Sequence, residues 1–255
     1  MTRHLLVIGA QRCGTTALQR VLEAHPDIAM ARPSRPEPKV FLSAEQAGRG
    51  LDWYRNTYFA HATTESLLAE KSTSYLEDPA AARRAADVLG HPTIVVQLRD
   101  PVARAISNWR FSREHGAEQR PLDEALRENL RGPRDWDAGA SSVSPFAYLE
   151  RGHYVDLLKP WVECFGEGVH VRFLEDVISG QQTPAGLYET LGVHPAADEN
   201  EEPTHRDQVD PVNASVGPEP VLDGALRALL REHFADSDAR LSQWLGRPLP
   251  WSSVR

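Results

Sequence analysis

Leu5–Gly9 is an apolar run that ends in glycine, and helical periodicity begins directly after Gly14, with Ala17, Leu18, Val21 and Leu22 on one face. Strand, glycine-bounded turn and helix, in that order, open a parallel α/β sheet. The rest of the chain repeats the alternation. Ile28–Ala31, Leu67–Ala69, Thr93–Leu98 and Val169–Phe173 predict further strands. Helices are predicted over Asp52–Phe59, Pro79 to about Leu89, Pro101 to about Phe111, Pro121–Leu130, Tyr154–Phe165 and Pro184–Leu191, with a closing pair at Leu222–Phe234 and Ala239–Leu245. Asp78-Pro79 and Asp100-Pro101 are N-cap and first-turn signals. Residues 32–39 are stiffened by Pro33, Pro36 and Pro38, and 196–218 read as a long polar loop. The expectation is one α/β domain over 1–255: three layers, a mostly parallel central sheet, and a P-loop-like phosphate-binding loop.

Composition narrows the function. The 28 basic and 36 acidic residues give a net charge of −8, against a general nucleic-acid binder. No apolar run reaches the roughly 18 residues of a membrane helix. The first ten residues read as a buried strand rather than a signal peptide. Cys13 and Cys164 are too few for a disulfide framework or a thiolate zinc site. A reducing cytoplasm, without membrane or nucleic-acid partners, is the expected setting. Lys39, Lys71 and Lys159 are the only lysines, beside 25 arginines, which makes each lysine position informative.

Gly9-Ala-Gln11-Arg12-Cys13-Gly14-Thr15-Thr16 has two glycines at the Walker spacing. A glycine-bounded turn feeding a helix aims backbone N–H groups at an anion. The nucleoside triphosphatase motif requires Lys and then Ser/Thr after the second glycine. Here Thr15-Thr16 stand there and the basic residue is Arg12, inside the loop. Such a loop holds a phosphate without the lysine that serves triphosphate chemistry. Cys13 reads as a small loop residue, since no base neighbours it in sequence. A second anion site follows the strand Thr93–Leu98. Arg99 stands at its carboxyl end, the edge where open α/β sheets bind ligands, and Ser107 lies two turns into the next helix. Arg99 offers a planar fork to a phosphate and Ser107 a hydroxyl.

The two motifs together, in order and about 85 residues apart, resemble sulfotransferases that use 3′-phosphoadenosine 5′-phosphosulfate as donor. Glu37-Pro-Lys-Val-Phe41, Glu70-Lys71-Ser72-Thr-Ser-Tyr75 and Arg151-Gly152-His-Tyr154 also fit, and the likeness is greatest to the branch of bacterial sulfotransferases and Golgi heparan sulfate enzymes. The resemblance implies that Gln11, Arg12, Cys13, Gly14, Thr15 and Thr16 bind the 5′-phosphosulfate and that Arg99 and Ser107 bind the 3′-phosphate. It also points to Asn213 and Ser215, in the late polar loop, as nucleotide contacts. The chain departs from the branch at Arg12, where heparan sulfate enzymes carry lysine. Arginine keeps the positive charge but does not pass on a proton.

Sulfuryl transfer moves a group in line between two oxygens, so the acceptor must lose a proton while the leaving phosphate gains charge. The resemblance assigns Glu37 as base, with Arg12 and Lys71 as the cationic catalytic residues and no metal. Glu70 is read as orienting Lys71, and Tyr75 as packing. His61 and His115 are the alternative bases. The expected acceptor is a small hydroxylated metabolite, sugar or lipid, with an amine the lesser alternative. The arginine-rich, lysine-poor composition leads to the expectation of a bacterial source with GC-rich DNA. Two other classes stay open at this point: a P-loop small-molecule kinase and a non-catalytic nucleotide-binding module.

Overall fold

A computed structural model of the chain describes residues 2–137, 143–193 and 220–252. They form two compact units, one of 2–98 with 159–193 and one of 99–137, 143–158 and 220–252.

The first unit is built on five parallel strands: β1 (Arg3–Gly9), β2 (Ile28–Met30), β3 (Leu67–Lys71), β4 (Thr93–Leu98) and β5 (Val169–Phe173). Their order across the sheet is β2-β3-β1-β4-β5. All five fall on the predicted runs, and β3 continues past Ala69 through Glu70 and Lys71. β1 is central, and from Leu5 to Gly9 it is buried on both faces, as its unbroken apolar run requires.

Side-chain alternation divides the sheet into two faces. Leu5 and Val7 of β1, Leu67 and Ala69 of β3 and Val95 of β4 meet Leu18 and Leu22 of α1 (Thr15–Glu23). Leu187, Tyr188 and Leu191 of α9 (Pro184–Leu191) complete that layer. Glu70 of β3 points to the other face, where Tyr54 of α3 (Gly50–Tyr58) bonds its carboxylate. Phe41 and Tyr75 pack there, with Trp161 of α7 (Tyr154–Phe165) against Tyr75. Helices thus cover both faces of the sheet. The expected three layers are present. Between β2 and α3 lie a 3-10 turn at Val40–Leu42 and one short α-helix, α2 (Ala44–Ala47), neither foreseen in sequence; α2 is too brief for a periodic signal and is started by the Ser43 side chain on Gln46 N.

The second unit has its own core. Val102, Ala105 and Ile106 of α5 (Pro101–Glu114) meet Leu122 and Leu126 of α6 (Leu122–Asn129), and Leu226, Leu230 and Phe234 of α10 (Gly224–Leu245). The sequence predicts a helical pair at this end, broken after Phe234; α10 is instead one continuous helix of 22 residues. Its buried positions Leu230, Phe234, Ser237 and Leu241 recur at three and four residues, so packing carries the helix through Ala235 to Asp238. α4 (Pro79–Leu89) and α8 (Leu174–Ile178) belong to the first unit and complete the described helices.

Candidate functional site

The loop after β1 is shaped for an anion. α1 begins at Thr15 with Gly14 as its N-cap, no side chain caps it, and its first turn carries no acidic residue. By contrast Asp78, Asp100 and Asp223 cap α4, α5 and α10 with their own carboxylates. Gly14 has φ 77°, and a Cβ there would stand 2.8 Å from Leu174 Cδ1 and 3.0 Å from Gln97 Nε2. Glycine is therefore required on two counts. Arg12 has φ 68°, a left-handed conformation that costs a side-chain-bearing residue free energy and is concentrated at functional sites.

Neighbours brace the loop. Ala10 N donates to the Gln97 carbonyl at 2.8 Å, and Gln97 Nε2 donates to the Cys13 carbonyl at 2.6 Å. Gln11 donates to Glu77 Oε1 at 2.8 Å, so its side chain secures the loop to the turn after β3. Cys13 and Thr15 are buried, while Arg12, Gly14 and Thr16 are half-buried.

Glu37 and Lys71 meet. Lys71 Nζ donates to Glu37 Oε1, and the two side chains are 10% and 18% exposed, lysine first. Thr73 holds the same carboxylate, with its N–H on Oε2 at 3.0 Å and its hydroxyl at 3.1 Å. The Thr73 carbonyl lies 3.3 Å from where a Cβ on Gly9 would stand. One residue therefore touches the root of the phosphate loop and fixes the carboxylate. Thr73 carries no functional reading in sequence, although it lies inside the Glu70–Tyr75 motif.

Glu70 does not orient Lys71. The two are consecutive on β3 and so face opposite sides of the sheet. The fully buried Glu70 accepts from Tyr54 Oη at 2.7 Å, Ser72 Oγ at 2.7 Å and Tyr75 Oη at 2.6 Å. Burial pushes its carboxyl up, against the pull of these three donors, and the Glu37 charge adds to the rise. Ser72 Oγ accepts from Lys39 N at 3.0 Å and Tyr75 Oη from Phe41 N at 3.2 Å. Tyr75 is therefore more than packing: with Ser72 it ties the segment that carries Glu37 to a buried carboxylate.

In the second unit, Arg99 directly follows β4 and Asp100 caps α5, accepting from Val102 N at 2.9 Å. Arg99 and Ser107 are both half-buried. Asn213 and Ser215 lie outside the described residues. His115 is exposed at the end of α5, bonded to the Phe111 carbonyl, and His61 lies in the loop after α3. Among the described residues, no group of three or more His, Cys, Asp or Glu could hold a metal ion, and no helix is long and apolar enough to cross a membrane.

Asp238 on α10 accepts from Trp251 Nε1 through Oδ2 at 2.8 Å, while its Oδ1 is buried with no partner. Burial raises its carboxyl from 3.8 to about 6, helped by Asp100 and opposed by the Trp251 bond and Arg231. A carboxyl raised on folding contributes stability that is complete below its unfolded value and lost as pH rises through the folded one. Asp238→Asn is therefore expected to be more thermostable than wild type at pH 8, and to lose that advantage near pH 4. Thermal melts across pH check this; a difference that does not change with pH would place Asp238 at its ordinary value.

A chain with this sheet order, an uncapped phosphate loop after its central strand and a carboxylate–lysine pair beside that loop has the architecture of a nucleotide-dependent group transferase. The model of the sulfotransferase domain matches residues 2–175. The chain belongs to this family of transferases, which take 3′-phosphoadenosine 5′-phosphosulfate as sulfuryl donor. The chain is 33% identical over 171 residues to bifunctional heparan sulfate N-deacetylase/N-sulfotransferase 1 of Caenorhabditis briggsae, covering 63% of this chain and 19% of that protein. It is 29% identical to the human enzyme 3 of the same name, covering 96% of this chain and 30% of that one. The chain thus spans less than a third of the length of these curated relatives. A sulfotransferase from Alicyclobacillus acidocaldarius superposes over 98% of both chains, with a TM-score of 0.73 and 25% identity.

Proposed function

We propose that the chain, acting as one sulfotransferase domain, moves a sulfuryl group from 3′-phosphoadenosine 5′-phosphosulfate to a hydroxyl of a small acceptor. The observation that supports this most is Thr73, which lies against Gly9 at the root of the phosphate loop and holds Glu37 by two hydrogen bonds. This supports reading Glu37 as the base beside the loop where the donor's 5′-phosphosulfate would sit. The acceptor O–H gives its proton to Glu37 as its oxygen bonds to sulfur. The bond from sulfur to the 5′-phosphate oxygen breaks, and the electron pair stays on that oxygen. Arg12, the N–H groups at the start of α1 and Lys71 meet the charge that develops there. Arg99 and Ser107 take the 3′-phosphate.

The relatives named N-sulfotransferases favour a second reading, in which the acceptor is an amine and Glu37 takes an N–H proton. The chemistry at Glu37 is the same. A net charge of −8 is a poorer match to a long polyanionic acceptor than to a small one. The test is transfer from labelled donor to paired panels of small alcohols and amines. Acceptor-dependent release of 3′-phosphoadenosine 5′-phosphate is expected, at the same rate in chelator as in magnesium, because cationic side chains and backbone donors supply the positive charge. Nucleotide binding with no transfer to either panel would make the chain a binding module instead.

A further inference from the structure

We propose that Arg231, on α10, is a positioning residue for the 3′-phosphate site, acting on nucleotide affinity only through Arg99. The inference rests on the assignment of Arg99 to that phosphate. Arg231 Nη1 and Nη2 donate to the two carboxylate oxygens of Asp100 at 2.8 and 2.6 Å. Tyr154, the first residue of α7, donates its hydroxyl to the Arg99 carbonyl at 2.8 Å. Two helices therefore grip consecutive residues: α7 the carbonyl of Arg99, α10 the side chain of Asp100. Neither grip uses the Arg99 guanidinium, which makes no hydrogen bond or ion pair within the described residues. A planar fork on both oxygens fixes orientation as well as distance. Its effect is to set the backbone from which Arg99 projects, so that binding the phosphate costs less ordering.

The rest of α10 is fastened to the same corner. A Cβ on Gly152 would stand 2.5 Å from Phe234 Cε1 and 3.0 Å from Pro101 Cβ, so the turn before α7, the helix α10 and the first residue of α5 are in close contact. His233 Nε2 meets His153 Nε2 at 2.9 Å, and Arg240 forks onto Asp156 at 2.7 and 2.9 Å. α10 cannot shift along its axis without disturbing Asp100. Arg231 also lies beyond residue 175, where the family match ends. The residue next to Arg99 is thus held by a part of the chain outside that match.

Calorimetry with 3′-phosphoadenosine 5′-phosphate and with adenosine 5′-phosphate, which lacks the 3′-phosphate, separates this role from a merely stabilising ion pair. Arg231→Ala is expected to weaken the first ligand about tenfold, within the range for coupled neighbours, and to leave the second unchanged. Arg231→Lys should not rescue, since an ammonium does not span both carboxylate oxygens. In an Arg99→Ala background, Arg231→Ala should add no further loss. A loss that persists in that background, an equal loss for both ligands, or full rescue by lysine would overturn the proposal. Should Arg231→Ala fail to fold, Arg231→Lys and Tyr154→Phe carry the same comparison, and wild-type affinity in both would overturn it equally. A wild-type protein that does not prefer the 3′-phosphorylated ligand would instead overturn the assignment of Arg99.

Discussion

Glu37→Gln is expected to lower turnover by about 10²–10⁴-fold, the usual contribution of a general base, while nucleotide affinity stays near that of wild type. Glutamine is nearly isosteric but takes no proton from an acceptor. The carboxylate meets Lys71 and both donors of Thr73, so its position is fixed before any ligand arrives. A base held this way needs little rearrangement to reach the reacting geometry. Steady-state turnover, with nucleotide affinity measured alongside, decides the matter. A near-normal rate would remove Glu37 as base and leave His61 and His115 as the next residues to replace.

Arg99→Ala is expected to weaken 3′-phosphoadenosine 5′-phosphate by roughly tenfold to a hundredfold, since a hydrogen bond to a charged group contributes about 1.5–3 kcal/mol. Adenosine 5′-phosphate should bind as before, because the loop after β1 is untouched. The loss is therefore one of discrimination, and competition between the two ligands measures it directly. Ser107→Ala should move in the same direction by less, as it removes a neutral donor. A variant that keeps the wild-type preference would show that the 3′-phosphate lies elsewhere.

The strands, and the turns into helices that follow β1 and β4, are legible because their signals are local. β4 is a β-branched run between Pro92 and Arg99, and the loop at Gly9–Thr16 carries its chemistry in eight consecutive residues. What escaped depends on residues far apart in sequence. Glu37 and Lys71 bond across 34 positions, and nothing in either motif alone gives that distance. Glu70 stands next to Lys71 in sequence but on the opposite face of β3, and only the three hydroxyls around it show what it holds. The break read between Phe234 and Ala239 reflects poor local helix propensity, which burial of Ser237 and the Trp251 bond to Asp238 override. Arg231 had no local signal at all: its partner lies 131 positions earlier.

The parallel sheet has a consequence for how the chain is made. β1 finds both neighbours only about 60 to 90 residues further along, and β4 waits about 75 residues for β5. During synthesis, the apolar run Ile94–Val96 is therefore an open edge until β5 has left the ribosome, and an open edge invites pairing with other chains. The fork on Asp100 comes later still, because α10 follows β5 in the chain. A nascent chain arrested before residue 224 has its strands and Tyr154 to hold the Arg99 carbonyl, but not the fork that fixes the Asp100 carboxylate.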